Sequence, residues 1–163
     1  MNPKNIELEI INEKNRFEVL KIQRDDISED YVDSVAYIIE TTDYGMEHNY
    51  IGHTYAVKYL SEYIGIILMG EAIEWATDPT ELRGKPFYRI MGFIIDKKYR
   101  DLGIGSYVLE LVINQIFREY GARPIALGVQ KDNIRAIRFY EKHGFIKNEA
   151  MDEDDYYFIK YPE

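Results

Sequence analysis

The loop Arg100-Asp101-Leu102-Gly103-Ile104-Gly105 is the most informative feature of the sequence, because it joins a strand-like apolar run, residues 87–95, to an amphipathic helix predicted from Ser106. Two glycines one residue apart allow a sharp backbone turn. Successive N–H groups can then converge on an anion at the positive end of the following helix. The sequence therefore predicts a phosphate-binding loop. The alternative is a strand-to-helix turn without a ligand, since a lone Gly-x-Gly is common.

The loop matches neither of two familiar phosphate-binding motifs. It lacks the Gly-Lys-Ser/Thr ending with which a nucleoside triphosphate site holds its phosphates and magnesium. Val108 stands where a dinucleotide-binding loop has its third glycine. Any phosphate-bearing ligand of this loop is therefore of another kind, and a turn without a ligand stays open at this point.

A second motif follows the predicted helix 106–120 and a short predicted strand, residues 124–129. It reads Asn133-Ile134-Arg135-Ala136-Ile137-Arg138-Phe139-Tyr140-Glu141-Lys142-His143-Gly144-Phe145. Together the two motifs resemble the N-acetyltransferase family known as GNAT. Its signature is Arg/Gln-x-x-Gly-x-Gly/Ala, then a strand, then Asn-x-x-Ala-x-x-Phe/Leu-Tyr-x-x-x-Gly-Phe. Every position of that signature is filled here.

The resemblance implies an α/β (α+β) fold in which residues 1–163 form a single N-acetyltransferase domain. Its mixed, mostly antiparallel sheet would have six to seven strands flanked by about four helices, with strands four and five splayed apart beside a bulge. The apolar patterning predicts strands at residues 6–11, 53–60, 63–69, 87–95, 124–129, 145–147 and 156–161, and helices at 13–24, 29–40, 106–120 and from 133. Ser28 is the predicted N-cap of the second helix, whose apolar face begins with Tyr31 and Val32. Residues 70–85 lack periodicity and are predicted to be a loop.

The same resemblance implies acetyl-coenzyme A as cosubstrate, with direct attack by an amine in a ternary complex. Backbone groups of Phe93, Ile94 and Ile95 would bind the pantetheine arm, and one N–H would face the thioester carbonyl. The pyrophosphate would be held by Arg100 and by N–H groups of the loop and first helical turn, namely Leu102, Gly103, Ile104, Gly105 and Ser106. Arg100 could equally be a solvated surface side chain.

The resemblance implies functional roles for two residues of the second motif. Asn133 matches the asparagine that touches the pantetheine arm, although it could also cap the helix that follows. Tyr140 is the predicted general acid, because a phenol with a pKa near 10 stays protonated at neutral pH and can protonate the departing thiolate. The alternative for Tyr140 is a core tyrosine. Basic residues on the same helix, Arg135, Arg138 and Lys142, could approach the adenosine phosphates or face water.

The general base is not identified by any motif. An acceptor amine arrives mostly protonated, so a group near the cleft must take a proton before attack. Glu71 and Glu74, just past the third predicted strand, are the candidates for this role, and they could instead bind a distant ammonium group. Glu40 and Asp43, at the end of the second predicted helix, lie on the same expected side, and any of the four could act directly or through water.

Composition and charge limit the partners. Cysteine is absent and only three histidines occur, so we expect no disulfide and no metal site, and a cytoplasmic setting. No apolar run approaches the roughly 20 residues that span a bilayer, so no membrane partner is expected. The net charge is −9, and residues 1–95 carry 17 acidic against 9 basic side chains. Nucleic acid is therefore not an expected partner, whereas a small cationic amine is.

Residues 87–100 indicate which amine the protein acetylates, because they resemble the corresponding stretch of bacterial spermine/spermidine acetyltransferases. The pieces Tyr88-Arg89-Ile90-Met91 and Ile94-Ile95-Asp96-Lys97 carry this resemblance, while Arg100-Asp101 replaces the Gln-Gly commonly found there. A polyamine is thus the leading acceptor. An aminoglycoside, a protein N-terminus and a non-catalytic coenzyme-binding module stay open. A free strand edge could support a homodimer.

Overall fold

The computed structural model describes all 163 residues, which form seven strands and four α-helices. The strands are β1 (Ile6–Ile10), β2 (Gly52–Tyr59), β3 (Glu62–Glu71), β4 (Tyr88–Ile95), β5 (Ile125–Gln130), β6 (Ile146–Asp152) and β7 (Asp155–Lys160). The helices are α1 (Asn15–Val19), α2 (Val35–Glu47), α3 (Ile104–Tyr120) and α4 (Ile134–Lys142). None of these helices combines the length and the apolar composition that crossing a bilayer would require.

All seven strands belong to one sheet in the order β1-β2-β3-β4-β5-β7-β6. Neighbouring strands run antiparallel except β4 and β5, which are parallel. Parallel strands need a crossover connection, and here α3 supplies it between β4 and β5. The predicted α+β class, with a mixed and mostly antiparallel sheet, is therefore confirmed.

The strands β4 and β5 separate soon after they meet. Only two residue pairs join them, Tyr88 with Ile125 and Arg89 with Ala126. Beyond this point the register between β3 and β4 shifts between Leu68 and Met69, so that β4 carries a bulge. Because a bulge bends its strand and leaves a residue unpaired, it turns the second half of β4 away from β5. The sheet thus contains a wedge-shaped opening at its centre.

Different elements cover the two faces of the sheet. On one face, the main core joins α3 to β4 and β5 through side chains such as Val108, Val112, Ile90 and Leu127, and Tyr140 of α4 belongs to it. On the other face, a second core packs α2 against β2, β3 and β4. A small cluster (Leu82, Phe87, Ala126 and Ile159) fixes the loop of residues 72–87 beside the second core. Both faces of the sheet are therefore covered, one by α3 and α4 and the other by α2 and the loop of residues 72–87.

The N-terminal helices begin or end at other residues than the sequence predicted. The helix α2 starts at Val35, because the Ser34 hydroxyl accepts the Tyr37 N–H at 3.1 Å and caps it there. Ser28 instead accepts the Asp30 N–H within a turn, so Tyr31 and Val32 precede the helix. The predicted helix 13–24 ends at Val19, because Gln23 pairs through its backbone with Asp96 and Lys97 beyond β4.

Candidate functional site

The wedge between β4 and β5 opens into a cleft of about 920 Å³. Its lining comes from both faces of the sheet, because Phe93 and Tyr140 share it with Arg89, Gly128 and Asp155. Ladder partners on neighbouring strands point to the same face, and so do residues two apart along a strand. Arg89, Gly128, Asp155 and Tyr157 therefore lie on the α2 face. Two ligands could approach the same point from opposite sides of the sheet.

The N-terminus of α3 forms one wall of the cleft. Gly103 caps the helix with a left-handed backbone (φ +79°), and no side chain caps it. The first N–H to bond within the helix belongs to Tyr107, which donates to the Gly103 carbonyl at 3.2 Å. The preceding N–H groups of Ile104, Gly105 and Ser106 have no intrahelical acceptor and lie at the positive end of a 17-residue helix. The helix thus starts before the predicted Ser106, and its free donors suit an anion.

Arg100 does not extend freely into solvent. Its Nε donates to the Ile95 carbonyl at 2.9 Å, and Nη1 pairs with the Asp26 carboxylate. The remaining nitrogen, Nη2, is buried without a hydrogen-bond partner. Arg100 lines the cleft together with Gly103, Gly105 and Ser106, whereas Leu102 is exposed outside it and the Ile104 side chain packs in the core. The structure therefore brings together most of the predicted pyrophosphate group.

The backbone of β4 lines the wedge beyond the bulge. The Asp96 N–H donates to the Ile64 carbonyl of β3 at 2.7 Å. Since amides of successive strand residues point to opposite edges, Ile94 also faces β3, and Phe93 and Ile95 turn their amides toward the wedge. All three predicted residues, Phe93, Ile94 and Ile95, line the cleft. Two of them can donate an N–H to a ligand lying in the opening.

Tyr140 lies on α4 with 8% of its surface exposed, and its ring packs edge-on against Phe139 and Phe145. Its hydroxyl makes no hydrogen bond within the chain. Burial raises the pKa of Tyr140 above the ordinary value of tyrosine, so the hydroxyl stays protonated at neutral pH. The structure thus places a buried, unpaired proton donor in the cleft.

Asn133 caps α4, since its side chain accepts the Ala136 N–H at 3.3 Å, and it also lines the cleft. Arg135, Arg138 and Lys142 line the cleft as well. Arg135 is bonded to Asp101 at 2.8 Å in an exposed pair. Arg138 and Lys142 therefore add positive charge to the cleft, whereas the charge of Arg135 is balanced by Asp101.

The carboxylates proposed from sequence as bases lie elsewhere. Glu71 accepts the Ile51 N–H at 2.8 Å, and Glu74 is exposed on the following loop. Asp43 forms an ion pair with Arg16 at 2.9 Å, and Glu40 is exposed on α2. None of the four lines the cleft.

Two other aspartates occupy the cleft, and no sequence motif pointed to them. Asp33 precedes α2 and Asp155 opens β7, and neither carboxylate has a hydrogen-bond or ion-pair partner. Burial raises the pKa of Asp155, and the negative charges of Asp152, Asp154 and Asp33 raise it further. Burial is also the main cause that raises the pKa of Asp33. Both groups are therefore better proton acceptors than an ordinary aspartate.

Further acidic side chains, Asp26, Glu29, Asp30 and Asp152, share the cleft with Asp33 and Asp155. Both segments that supply them, residues 25–33 and 152–155, are rich in acidic residues in the sequence, but nothing in the sequence places them together. The contribution of the segment before α2 depends on tertiary structure. No group of three or more His, Cys, Asp or Glu side chains is arranged to hold a metal ion.

A buried charged pair supports the α2 face of the cleft. Arg89 forms a two-point ion pair with Asp78, Nη1 to Oδ1 and Nη2 to Oδ2 at 3.0 Å each. Its side chain is 3% exposed and that of Asp78 is 0% exposed. The Tyr157 hydroxyl donates to Asp78 at 3.0 Å, and the guanidinium lies 3.6 Å from the centre of the Trp75 ring. Sequence reasoning missed this group, because its members come from a loop, β4 and β7.

Comparison with known proteins agrees with this geometry. The family model described as acetyltransferase (GNAT) family matches residues 17–145. A curated spermine/spermidine N(1)-acetyltransferase from Bacillus subtilis is 24% identical over 147 residues, which cover 90% of this chain and 91% of that protein.

Solved structures with the same fold come from several organisms. A PaiA N-acetyltransferase from Thermoplasma acidophilum, in complex with coenzyme A, aligns with a TM-score of 0.68 at 18% identity over 99% of this chain and 100% of its own. An acetyltransferase from Salmonella typhimurium that modifies the N-terminal serine of a 50S ribosomal subunit protein aligns with a TM-score of 0.71 at 14% identity, over 98% and 96%. These likenesses establish the fold.

Proposed function

The chain belongs to the acetyltransferase (GNAT) family, and from this premise we propose that it moves an acetyl group from acetyl-coenzyme A to a primary amine of a polyamine such as spermidine or spermine. The observation that carries the proposal is the meeting of two unlike surfaces in one cleft. A helix N-terminus and the β4 backbone lie on one side of the wedge, and unpaired carboxylates lie on the other.

The residues of the first surface fit the coenzyme, which supplies the acetyl group as a thioester. The N–H groups of Ile104, Gly105 and Ser106 would hold its pyrophosphate, since a helix N-terminus free of a side-chain cap suits an anion. Arg100 would add its unpaired Nη2. The amides of Phe93 and Ile95 would donate to the pantetheine arm and to the thioester carbonyl, and Asn133 would contact the same arm.

Two groups of the chain would move protons. An alkylammonium has a pKa near 10, so the acceptor must lose a proton before it can attack. We assign this step to Asp155, directly or through Asp33, because both carboxylates are unpaired and both pKa values are raised. Tyr140 would protonate the departing thiolate, for which its raised pKa keeps the proton available. Glu71 and Glu74, outside the cleft, would act on the acceptor only at a distance.

The acidic side of the cleft favours a cation with more than one charge. Asp30, Asp33, Asp152 and Asp155 come from two separate segments of the chain, so their charges are spread over the cleft. A polyamine presents ammonium groups at intervals along an apolar chain, and several carboxylates can attract them at once. The likeness to a spermine/spermidine acetyltransferase at 24% identity supports the same acceptor class.

The deciding experiment measures thiol release from acetyl-coenzyme A with purified protein and four acceptors, namely spermidine, spermine, an aminoglycoside and a short peptide with a free N-terminus. We expect saturable turnover with the polyamines alone. Turnover confined to the aminoglycoside or the peptide would keep the enzyme class and overturn the acceptor. Tight coenzyme binding without turnover on any amine would instead indicate a non-catalytic binding module.

A further inference from the structure

We propose that Trp75 forms the apolar wall of the acceptor pocket and selects acceptors by their methylene chain, held in place by the buried Asp78–Arg89 pair. This inference rests on the proposed function, because it concerns the acceptor of that same reaction. It gives a role to a loop, residues 72–87, that the family signature does not include.

The loop is built around the carboxylate of Asp78. The carboxylate oxygens accept hydrogen bonds from the backbone N–H of Trp75 at 2.7 Å, from both terminal nitrogens of Arg89 and from the Tyr157 hydroxyl. Arg89 also donates to the Ile73 carbonyl at 3.0 Å, and Arg83 donates to the carbonyls of Asp78 and Ala76. The backbone on both sides of Trp75 is therefore fixed by charge-assisted bonds.

This arrangement is costly for stability alone. Transferring two charges from water to a protein interior carries a desolvation penalty, which their mutual attraction often fails to exceed. Replacing a buried ion pair by well-packed apolar residues of similar volume is often neutral or stabilising. The buried ion pair instead fixes one conformation of the loop, in which the Trp75 ring lies over the Arg89 guanidinium.

Trp75 has the surface that such a role needs. One face of its indole lies on the Arg89 guanidinium, while 38% of the residue remains exposed and lines the cleft. The Tyr157 hydroxyl donates a hydrogen bond to Asp78 of the loop. Tyr157 lies on the same face of β7 as Asp155, which is two residues earlier in the strand. The free indole surface and the unpaired Asp155 carboxylate therefore lie on the same side of the wedge. A flat apolar ring on the same side of the cleft as a carboxylate suits a methylene chain that ends in an ammonium group.

The Asp78–Arg89 pair also leaves this end of the cleft without a net positive charge. Arg89 lines the cleft, and its positive charge alone would repel a cationic acceptor. Asp78 neutralises that charge, and the Trp75 ring covers it. An approaching ammonium group thus meets an aromatic ring and carboxylates. Asp78 and Arg89 act as positioning residues, and Trp75 would touch the acceptor.

Trp75 is the only tryptophan of the chain, so its fluorescence reports on this pocket directly. We would titrate the protein, saturated with coenzyme A to prevent turnover, with diamines of increasing methylene length and with spermidine. The expected result is a saturable shift of the emission to shorter wavelength that grows with chain length. In steady-state assays, Trp75→Ala should raise the acceptor KM about tenfold, equivalent to ~1.4 kcal/mol, and leave the KM for acetyl-coenzyme A unchanged.

Two matched variants separate this role from a general loss of structure. Trp75→Phe should keep the dependence on chain length, because an apolar ring remains. Phe17→Ala removes an aromatic ring that is 64% exposed on α1, outside the cleft, and should leave both KM values unchanged.

The outcomes distinguish the inference from the proposed function. Polyamine turnover with no change in emission, together with unaltered chain-length selectivity in Trp75→Ala, would overturn the inference and leave the proposed function standing. If the unaltered protein binds coenzyme A but releases no thiol with any amine, the proposed function fails and the inference fails with it.

Discussion

The carboxylate of Asp155 occupies space that only a glycine at position 128 leaves free. A Cβ atom built on Gly128 would lie 3.3 Å from Asp155 Oδ2 and 3.5 Å from Asp155 Cβ. The two residues belong to neighbouring strands, β5 and β7, beside the wedge. The missing side chain thus lets a partly buried carboxylate lie across β5 and face the cleft.

Gly128→Ala should therefore displace Asp155 and lower kcat/KM for spermidine without changing the KM for acetyl-coenzyme A. The added methyl group makes a contact tighter than ordinary packing, and the aspartate is the part that can move. Gly45→Ala on α2 is the matched control, since nothing lies within 4 Å of its Cβ position. It should keep full activity and raise the thermal midpoint slightly, because alanine favours a helix over glycine by about 1 kcal/mol. Equal activity in both variants would contradict the role of Asp155.

Asp155→Asn should slow turnover yet stabilise the fold at neutral pH. The pKa of Asp155 is raised in the folded protein, so the folded state holds this proton more tightly than the unfolded chain. The contribution of this group to stability is therefore largest below its unfolded pKa and is lost as the pH rises through its folded pKa. Asparagine cannot ionise, so the variant avoids the loss of stability that ionisation of Asp155 causes. Its thermal midpoint at neutral pH should therefore be higher than that of the unaltered protein, and the difference should vanish in acid, where Asp155 is protonated.

The raised pKa of Asp155 also predicts how turnover depends on pH. If Asp155 takes the proton from the acceptor, kcat/KM for spermidine should fall as the pH drops through that pKa. The Asp155→Asn variant should lack this limb of the profile. A profile that keeps the limb in the variant would assign the base to another group, with Asp33 the next to test.

Local patterns in the sequence predicted residues of the coenzyme side of the cleft, but on the acceptor side they pointed to carboxylates that lie outside it. The Gly103 turn, the start of a helix and the Asn133 cap are encoded within a few neighbouring residues, so reading along the chain finds them. Asp33 and Asp155 line the same cleft only because β7 inserts beside β5 and because α2 is capped at Ser34 rather than Ser28. Glu71 and Glu74 were predicted from proximity in sequence, which does not show that Glu71 is bonded to Ile51.

Gly103→Ala should weaken coenzyme binding as well as stability. Gly103 has φ +79°, and nothing lies within 4 Å of its Cβ position, so the cost comes from backbone conformation, about 1–2 kcal/mol for a left-handed alanine. Gly121, at the other end of α3 with φ +100° and equally open surroundings, is the control. Gly121→Ala should lose at least as much stability, because a backbone with φ 100° and ψ 158° is almost confined to glycine, while its Kd for coenzyme A, measured by calorimetry, stays that of the unaltered protein. A parallel loss of affinity in both variants would argue against a phosphate at the α3 N-terminus.

Tyr140→Phe should lower kcat by about 100-fold or more, in the range of general acid catalysis, and leave the Kd for coenzyme A unchanged. The substitution removes only a hydroxyl that makes no hydrogen bond within the chain, so stability should change little. Tyr55→Phe is the matched control, because Tyr55 is also buried, its hydroxyl also lacks a partner, and it lies outside the cleft. A kcat for Tyr140→Phe equal to that of Tyr55→Phe would show that the thiolate departs without an acid.

Asp78→Asn should destabilise the protein by about 3–5 kcal/mol, since it leaves the buried guanidinium of Arg89 without its counter-charge. Burial opposes ionisation of Asp78, but the bonds from Arg89, the Trp75 N–H and Tyr157 together hold its pKa below the ordinary value. Its contribution to stability is therefore present above the unfolded pKa and is lost as the pH falls through the folded pKa. Urea unfolding over that range should show an acid-dependent loss in the unaltered protein that is reduced in Asp78→Asn.

The more exposed pair of Arg16 and Asp43 provides the comparison, because it has the same two-point geometry with side chains 23% and 43% exposed. Asp43→Asn should cost no more than about 1 kcal/mol. Replacing both buried partners, as in Asp78→Leu with Arg89→Met, should recover much of the lost stability, because no unpaired charge remains. That double variant would still lack the bonds that hold Trp75, so its acceptor KM should stay high at near-normal stability. A normal KM in the double variant would mean that the buried pair serves stability alone.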